Sequence, residues 1–442
     1  MKNGKEISFV VLVLIALIIA PVFSAGSQET VAVSSDKPLA GQSITVAMQS
    51  HNATARLLEF LPEFEAKTGI KVVIDQLPQA ELNKKVEAAF VAGTVEYDVI
   101  MTLIVNVARN ARAGWIAPLD PFIAKDKDIN MQDFMQGFIK SQTYQDKIYG
   151  LPFYGESSIL MYNKELFEKA GVAVPQTMDE LLAAAKILTK DGTYGIVLKG
   201  NRDQASNGYI WPMFLHSFGG EYFDENHRPI FNSQAGVEAT DFFNELMKYA
   251  PPGAVNMGWN EVQVALQQGQ AAMSIDASNF ASALENKDLS KTAGKIGYAP
   301  VPVGKSAQDP AIATASLNIN AKSKKQDAAW EFLKWATSSE MQMKFAMNGS
   351  RSDVTRNSVF SNPEYQKVYN WDNGNWIKAT QEMMNIMRGD YRPVYYPEWV
   401  QIGNAIAIEV QSVFIGNKTS KQALDSAAVA VEKIMRDGGY IK

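Results

Sequence analysis

The side chains that usually carry catalysis or bind metal are few in this sequence and follow no recognised spacing. The three histidines, His51, His216 and His227, lie far apart, without the H-E-x-x-H spacing of a zinc site. There is no cysteine, and no G-x-S-x-G, G-x-x-x-x-G-K-[ST] or G-x-G-x-x-G motif. The sequence therefore predicts no metal, no cofactor and no enzymatic reaction. Paired carboxylates that meet only in the folded chain would leave no such signature.

Polar side chains that could bind a small molecule follow the first predicted strand, residues 44–48. Gln49, His51 and Asn52 come directly after it. Because α/β proteins bind ligands at the carboxyl ends of their strands, we predict that these three residues contact a ligand. A polar turn that caps the next helix is the alternative role, above all for Asn52.

Predicted strands and helices alternate along the chain in two blocks. The first block has strands at 44–48, 70–74 and 97–101, and the second begins at 159–162. The remaining predicted elements are strands at 195–198 and 271–275 and helices at 81–92, 164–170, 235–249 and 262–268, with two further helices between 398 and 436. Asn163 is predicted to cap the helix at 164–170, and Thr177 and Glu180 to form a capping box ahead of the apolar residues of 181–188. This alternation predicts an α/β protein with a largely parallel sheet.

The first 26 residues have the features of a secretory signal peptide. Lys2 and Lys5 precede the uncharged apolar run 9–20, and small residues follow at 24–27. The run is shorter than the roughly 20 residues of a membrane span, although a single-span anchor is the alternative. With no cysteine for a lipid anchor, we expect a soluble periplasmic or extracellular protein. Residues 27–42 are small and polar and are predicted to form a flexible leader.

Composition and charge exclude several classes of partner. The sequence is 46% hydrophobic and 20% charged, as in an ordinary globular protein, and it is too long for one core. Two domains are therefore expected. Its net charge is -5 and it has no basic cluster, which argues against binding nucleic acid or an anionic membrane surface.

Several short motifs in a fixed order indicate a family. At the junction of the two blocks, Y-G-L-P-F-Y-G-E at 149–156 is followed by M-Y-N-K-E-L-F at 161–167. The other motifs are T-G-I-K-V at 68–72, T-M-D-E-L-L at 177–182, T-Y-G-I at 193–196, Trp211-Pro212, Gly219-Gly220, the segments 265–275 and 326–332, and the helices of 398–435. In order and spacing they resemble the family 1 extracellular solute-binding proteins of bacterial ABC importers. The resemblance covers nearly the whole chain after the signal.

The resemblance implies a two-lobed, periplasmic-binding-protein-like α/β fold of type II, with a ligand cleft between lobes that are joined by hinge crossovers. Lobe 1 would comprise residues 43–152 and 312–350, and lobe 2 residues 153–311 and 351–442. The chain would cross near Pro152, at 312–319 and at 349–354. We expect a monomer.

The resemblance also implies ligand contacts at the crossings. Glu156 matches a carboxylate that contacts sugar in the family, and Tyr154 would point to the same side of an extended segment. Arg351 falls at the third crossing, where its guanidinium could bond vicinal hydroxyls or a carboxylate. The alternatives are an exposed hinge carboxylate for Glu156, core packing for Tyr154 and a salt link between lobes for Arg351.

Aromatic and polar residues of the second block complete the predicted site. Trp211 occupies the Trp-Pro position of the family, Trp259 lies in a loop-like segment, and Trp399 precedes the penultimate helix. Such rings cover the C–H face of a sugar, and core packing is the alternative for Trp211 and Trp259. Asp276, at a predicted strand end, and Asn279, where the family usually has a ring, would bond hydroxyls.

Together these features predict an exported protein that binds a carbohydrate and delivers it to the permease subunits of an ABC transporter. Two stacking rings of the family are missing, at Thr102 and near Asn279, which favours a short ligand. A sugar alcohol or another small polar solute is therefore the nearest alternative. An exported glycoside hydrolase, with two cleft carboxylates about 5–9.5 Å apart, is the alternative from another class.

Overall fold

Strands and helices alternate throughout the computed structural model, which describes residues 37–347 and 352–442. The strands are β1 (Ser43–Gln49), β2 (Lys71–Leu77), β3 (Val99–Leu103), β4 (Thr143–Tyr144), β5 (Lys147–Ile148), β6 (Leu151–Asn163), β7 (Met273–Ala277), β8 (Ile296–Ala299) and β9 (Ile312–Ile319). The helices are α1 (Asn52–Thr68), α2 (Gln79–Ala92), α3 (Ile104–Arg112), α4 (Asp120–Lys125), α5 (Gln136–Ser141), α6 (Lys164–Ala170), α7 (Met178–Leu188), α8 (Asn207–Ser217), α9 (Gln234–Met247), α10 (Trp259–Gln267), α11 (Phe280–Leu284), α12 (Gln326–Ala336), α13 (Ser339–Ala346), α14 (Asn357–Phe360), α15 (Pro363–Val368), α16 (Asn375–Ile386), α17 (Trp399–Phe414) and α18 (Ser420–Asp437). The predicted α/β class is confirmed.

One mixed sheet of seven strands organises the molecule. Its order is β2-β1-β3-β9-β6-β7, and β8 also pairs with β6. β1 pairs in parallel with β2 and β3, whereas β9 is antiparallel to β3 and β6, and β6 is antiparallel to β7 and β8. The prediction of a largely parallel sheet is therefore wrong from β9 onward. The chain passes between the two parts of the sheet along β6 and returns along β9 in the opposite direction, so these two strands are antiparallel. Two parallel neighbouring strands would need a crossover connection.

β6 is the strand that both halves of the sheet share. Its first part pairs with β9, from Leu151↔Leu317 to Ser157↔Ile312, and its second part pairs with β7 and β8. The strand predicted at 159–162 is thus the second part of a longer one. The register is irregular between Pro152 and Tyr154.

Hydrophobic side chains gather in separate clusters around the two parts of the sheet. A first-lobe cluster includes Val46, Leu317 and Phe332, and a second-lobe cluster includes Ile275 and Phe214. These side chains are fully buried. The lobe boundaries predicted near Pro152 and Ile312 fall on β6 and β9. The boundary at 350/351, the predicted signal peptide and residues 27–36 of the predicted leader lie outside the described residues.

Local signals explain where several helices begin. Asn163 accepts a hydrogen bond from the Leu166 amide at 3.2 Å and so caps α6. Thr177 and Glu180 form the predicted capping box of α7. Among the helices of residues 37–347 and 352–442, none is both long and apolar enough to span a bilayer.

The segment 195–198 differs from its prediction as a strand. Its Val197 amide donates to the Met273 carbonyl at 2.9 Å, while the Ser274 hydroxyl donates to the Val197 carbonyl at 2.7 Å. The Val197 carbonyl is thus bonded by the Ser274 side chain and not by a backbone amide. The segment therefore lies beside β7 without the regular backbone hydrogen bonds of a paired strand. β7 itself runs from Met273 to Ala277, so Asp276 lies inside this strand and not at its end.

Candidate functional site

A cavity of about 380 Å³ lies where β6 and β9 pass between the two clusters. Its lining comes from both lobes and from these crossing strands. The lining residues are Gln49, His51, Gln79, Leu103, Ile104 and Val105 from the first lobe, Tyr154, Glu156, Ala313 and Thr314 from the crossing strands, and Lys199, Gln204, Ala205, Tyr209, Trp259, Asn260, Asn279 and Arg392 from the second lobe. The lining therefore combines side chains of the crossing strands with side chains from distant parts of the chain.

The crossing strands contribute Tyr154 and Glu156, two residues apart on the same side of β6. The Tyr154 hydroxyl donates to Gln49 Oε1 at 2.8 Å, which links the crossing strand to the end of β1. The Thr314 hydroxyl donates to the Tyr154 carbonyl at 2.7 Å. Glu156 is 4% exposed, so its carboxylate is largely shielded from water in this structure.

His51 fixes the first-lobe side of the cavity. It is the N-cap of α1, and its Nδ1 accepts from the Ala53 amide at 3.3 Å. The ring stacks on Tyr154 with centroids 4.7 Å apart and planes 13° apart. The ring is thus tied to the first turn of α1 on one side and to the crossing strand on the other. Asn52 is exposed as the first residue of α1 and lies outside the cavity lining, so the capping role considered for it belongs to His51.

A buried ion pair lies on the second-lobe side. Lys199 Nζ is 2.8 Å from Asp276 Oδ1, and the two side chains are 1% and 0% exposed. The same carboxylate oxygen accepts from the Ala277 amide at 2.8 Å. Nζ also lies over the rings of Tyr209 and Trp259, 3.9 Å and 4.9 Å from their centroids. Lys199 lines the cavity, and Asp276 holds it from behind.

Arg392 is the second buried cation of the cavity. Its Nη2 donates to the Ile312 carbonyl at 3.1 Å and its Nη1 to the Gln204 carbonyl at 3.2 Å. The guanidinium also lies 5.4 Å from the ring centroid of Tyr209. Burial lowers the pKa of Arg392. The side chain thus ties the start of β9 to the second lobe.

Tyr209 presents a neutral hydroxyl. Burial raises the pKa of Tyr209 well above its usual value; the Glu156 and Asp276 carboxylates add to this, and Arg392 opposes it. The hydroxyl therefore stays protonated at neutral pH and can donate as well as accept. Among the described residues that line the cavity, Tyr209 Oη, Asn279 Oδ1 and Arg392 Nε have no hydrogen-bond partner. Buried polar atoms without a protein partner are rare and call for one from elsewhere.

The structure brings together six of the predicted site residues. Those that line the cavity are Gln49, His51, Tyr154, Glu156, Trp259 and Asn279. Asp276 acts on the cavity through Lys199, because its place within β7 directs its carboxylate to that side chain. Arg351 lies outside the described residues.

Trp211 and Trp399, predicted as ligand contacts, do not line this cavity. Both are fully buried in the second-lobe cluster. Trp211 donates through Nε1 to the Thr240 hydroxyl at 2.8 Å and packs edge-on against Tyr222. Trp399 also meets Tyr222 edge-on, with centroids 5.5 Å apart. Burying these large apolar rings in the core stabilises the second lobe more than exposing them in a cleft would.

Sequence reasoning missed Lys199, Tyr209, Arg392, Gln79 and Gln204. A usable signal existed for Lys199, since it follows the apolar run 195–198 as Gln49 follows the run 44–48. Tyr209 looks like any aromatic residue of the buried helix α8, and Arg392 lies in an irregular segment. Neither carries a local pattern that distinguishes it.

The lining offers hydrogen-bond donors, hydrogen-bond acceptors and apolar surface. Within residues 37–347 and 352–442, no group of His, Asp and Glu side chains is arranged to hold a metal ion. Among the described lining residues, Glu156 supplies the sole carboxylate. The two cations, Lys199 and Arg392, are balanced by Glu156 and by Asp276 behind the wall.

A two-lobed α/β fold with a polar cavity at the crossing strands is typical of proteins that bind a small solute between two lobes. Known proteins with similar sequences and structures belong to this class. Residues 50–343 match the family described as bacterial extracellular solute-binding protein, and the chain belongs to this family. Its fold is the two-lobed, type II fold of periplasmic solute-binding proteins.

Individual relatives share this architecture over most of their length. The mannitol-binding protein of Pseudomonas aeruginosa is 27% identical over 424 residues, covering 91% of this chain and 95% of its own. A solute-binding protein of Agrobacterium radiobacter in complex with ribitol is 28% identical with a TM-score of 0.80, covering 90% of this chain and 100% of its own. One from Agrobacterium vitis with bound D-mannitol is 31% identical with a TM-score of 0.78, covering 91% and 100%.

Proposed function

We propose that this protein binds an open-chain sugar alcohol in the cavity and delivers it to an ABC permease. The observation that carries the proposal is that three buried polar atoms of the cavity lining, Tyr209 Oη, Asn279 Oδ1 and Arg392 Nε, have no described partner. Arg392 Nε is a hydrogen-bond donor, Asn279 Oδ1 is an acceptor, and the Tyr209 hydroxyl can donate and accept. A ligand rich in hydroxyl groups satisfies all three, because each hydroxyl donates and accepts.

Charge balance supports a neutral ligand. The described charges at the cavity, Lys199 and Arg392 against Glu156 and Asp276, sum to zero. An anionic or cationic ligand would need a net opposite charge to offset the cost of leaving water.

The apolar part of the wall supports a ligand with a carbon backbone. Leu103, Ile104 and Val105 enter the lining at the start of α3, and Trp259 and Ala313 face in from other sides. Most small-molecule sites combine such apolar surface with a few placed polar groups. An alditol fits this mixture, since it presents C–H groups between its hydroxyls.

Relatives support the choice between the ligand classes that the sequence left open. Sugar alcohols are named for a mannitol-binding relative and for the two solved structures with ribitol and D-mannitol. A cyclic sugar is the second candidate, because the sequence predicts a carbohydrate ligand. A hydrolase is disfavoured, since Glu156 is the sole carboxylate among the described lining residues and a glycosidase needs two.

The proposed cycle requires no covalent step. The solute binds between the lobes, the lobes close around it, and the closed surface is recognised by the permease. A micromolar Kd corresponds to about 8 kcal/mol, which is enough to shift the lobes toward the closed state and still permits release. The proposal includes export through residues 1–26, soluble release and action as a monomer.

Calorimetry with a panel of solutes tests this function. Mannitol, ribitol and erythritol form the acyclic set, and glucose and maltose the cyclic set. We expect at least one acyclic member to bind and to raise the melting temperature, since a ligand at about 100 times its Kd adds about 2.7 kcal/mol of stability. Tight binding of glucose or maltose alone would replace the sugar alcohol with a cyclic sugar. Release of glucose from maltose would contradict the non-enzymatic function.

A further inference from the structure

Lys199 is the cavity residue whose presence the fold itself least explains. It is 0% exposed and packed among aromatic side chains, where an aliphatic residue would avoid the cost of burying a charge. Asp276 offsets that cost with a 2.8 Å hydrogen bond. Because a buried ion pair is often no more stabilising than apolar residues of the same volume, stability does not account for it.

The ammonium group occupies aromatic surface that a ring sugar would use. Nζ lies 3.9 Å from the centroid of Tyr209 and 4.9 Å from that of Trp259, so one face of each ring already has a partner. Phe280 packs nearly perpendicular to Trp259, with centroids 4.6 Å apart. The Tyr154 ring is stacked with His51. Pyranose rings bind through flat C–H faces laid on such aromatic rings.

The same ammonium group adds donors for hydroxyl groups. A lysine has three N–H donors, and one of them goes to Asp276. In the same cavity lining, Tyr209 Oη and Asn279 Oδ1 have no partner among the described residues. An extended chain of hydroxyls can bend to meet these groups without needing a free aromatic face. A rigid ring needs both the face and the hydroxyl positions.

We propose that Lys199, held by Asp276 against the rings of Tyr209 and Trp259, makes this cavity select open-chain polyols over ring-closed sugars. This inference rests on the proposed function and extends it to a specificity-determining residue. Lys199 contacts the ligand, and Asp276 is a positioning residue.

The test compares matched solutes of equal carbon number, ribitol with ribose and mannitol with mannose, by calorimetry. The parent protein is compared with Lys199→Met and with the double variant Lys199→Met/Asp276→Asn, in which no unpaired charge remains in the core. Lys85→Met is the matched control, because Lys85 forms a 2.7 Å pair with Asp75 outside the cavity lining. Circular dichroism and thermal melting establish that each variant is folded.

We expect the folded double variant to lose polyol affinity by about tenfold to a hundredfold, the effect of a charged hydrogen bond. Its ratio of polyol to pyranose affinity should fall at least about tenfold by the same bond, while Lys85→Met keeps the parent ratio. An unchanged ratio in a folded double variant overturns the inference and leaves the proposed function standing. A parent protein that binds neither polyol contradicts the proposed function itself.

Discussion

One Lys–Asp pair beside a tyrosine in the second lobe resembles another in the first lobe, but their surroundings differ. In the second lobe, Lys199 and Asp276 are 2.8 Å apart, their side chains are 1% and 0% exposed, and Tyr209 lies beneath the ammonium. In the first lobe, Lys85 and Asp75 are 2.7 Å apart but 41% and 29% exposed.

The first-lobe pair is completed by Tyr97. Its hydroxyl donates to Asp75 Oδ2 at 2.5 Å, and Lys85 Nζ lies 5.5 Å from its ring centroid. Similar residue types at similar distances thus form a solvated surface link in one lobe and a desolvated element of the cavity wall in the other. Burial therefore decides what such a pair does. Exposed pairs contribute little to stability, whereas breaking a buried pair leaves an uncompensated charge.

The largest expected effect comes from neutralising one partner of the buried pair. Asp276→Asn leaves Lys199 charged in the core without its counterion, and we expect a loss of about 3–5 kcal/mol in the free energy of unfolding. The matched variant Asp75→Asn should lose less than about 1 kcal/mol, as exposed pairs do. Urea unfolding of both variants measures the difference. Equal losses would mean that burial does not distinguish the two pairs.

An intermediate effect is expected at Glu156, the carboxylate of the crossing strand. Glu156→Gln keeps the shape of the side chain but removes its charge, so a hydroxyl bound there loses a charged acceptor. We expect affinity for the polyol to fall by about tenfold to a hundredfold. Calorimetry measures it, with Glu180→Gln as the control, since Glu180 lies at the exposed capping box of α7. Unchanged affinity in Glu156→Gln would remove this residue from the site.

The smallest effect is a pH dependence at the exposed pair. Hydrogen bonds from Lys85 and then from Tyr97 lower the pKa of Asp75 below its usual value. A lowered pKa in the folded state stabilises the protein above the unfolded value of about 3.9 and ceases to do so as the pH falls through the folded pKa. The small stability difference between the parent and Asp75→Asn should therefore shrink between about pH 5 and about pH 3. Urea midpoints across this range measure it, and a difference that grows toward acid would contradict the assignment.

Elements with local signals were predictable from the sequence. The Thr177–Glu180 capping box, the helix cap at Asn163 and the two C-terminal helices all appear where the sequence places them. Tyr154 and Glu156 were identified because their segment resembles the family. Their contact with ligand remains a prediction.

The second-lobe wall was much less predictable, and the reason is physical. Lys199 and Asp276 are far apart in sequence and meet only when the segment 195–198 lies beside β7. Asp276 was placed at a strand end because the apolar run that predicts this strand stops at Ile275. The strand itself continues for two more residues, to Ala277. Trp211 and Trp399 were assigned to the site as aromatic residues at family positions, but a sequence cannot show which side of a helix faces a core built from distant segments.

The path of β9 has a consequence for how the chain is made. In the sheet, β3 pairs with β1 on one side and with β9 on the other. The ribosome synthesises β9 only after β4 to β8. Until then the first lobe carries an open sheet edge, and contacts of such long sequence separation form slowly. The lobe that begins the chain is therefore the last to complete its sheet. For a protein that folds after crossing a membrane, as we propose for this one, that delay leaves the nascent chain time to be translocated before it can fold.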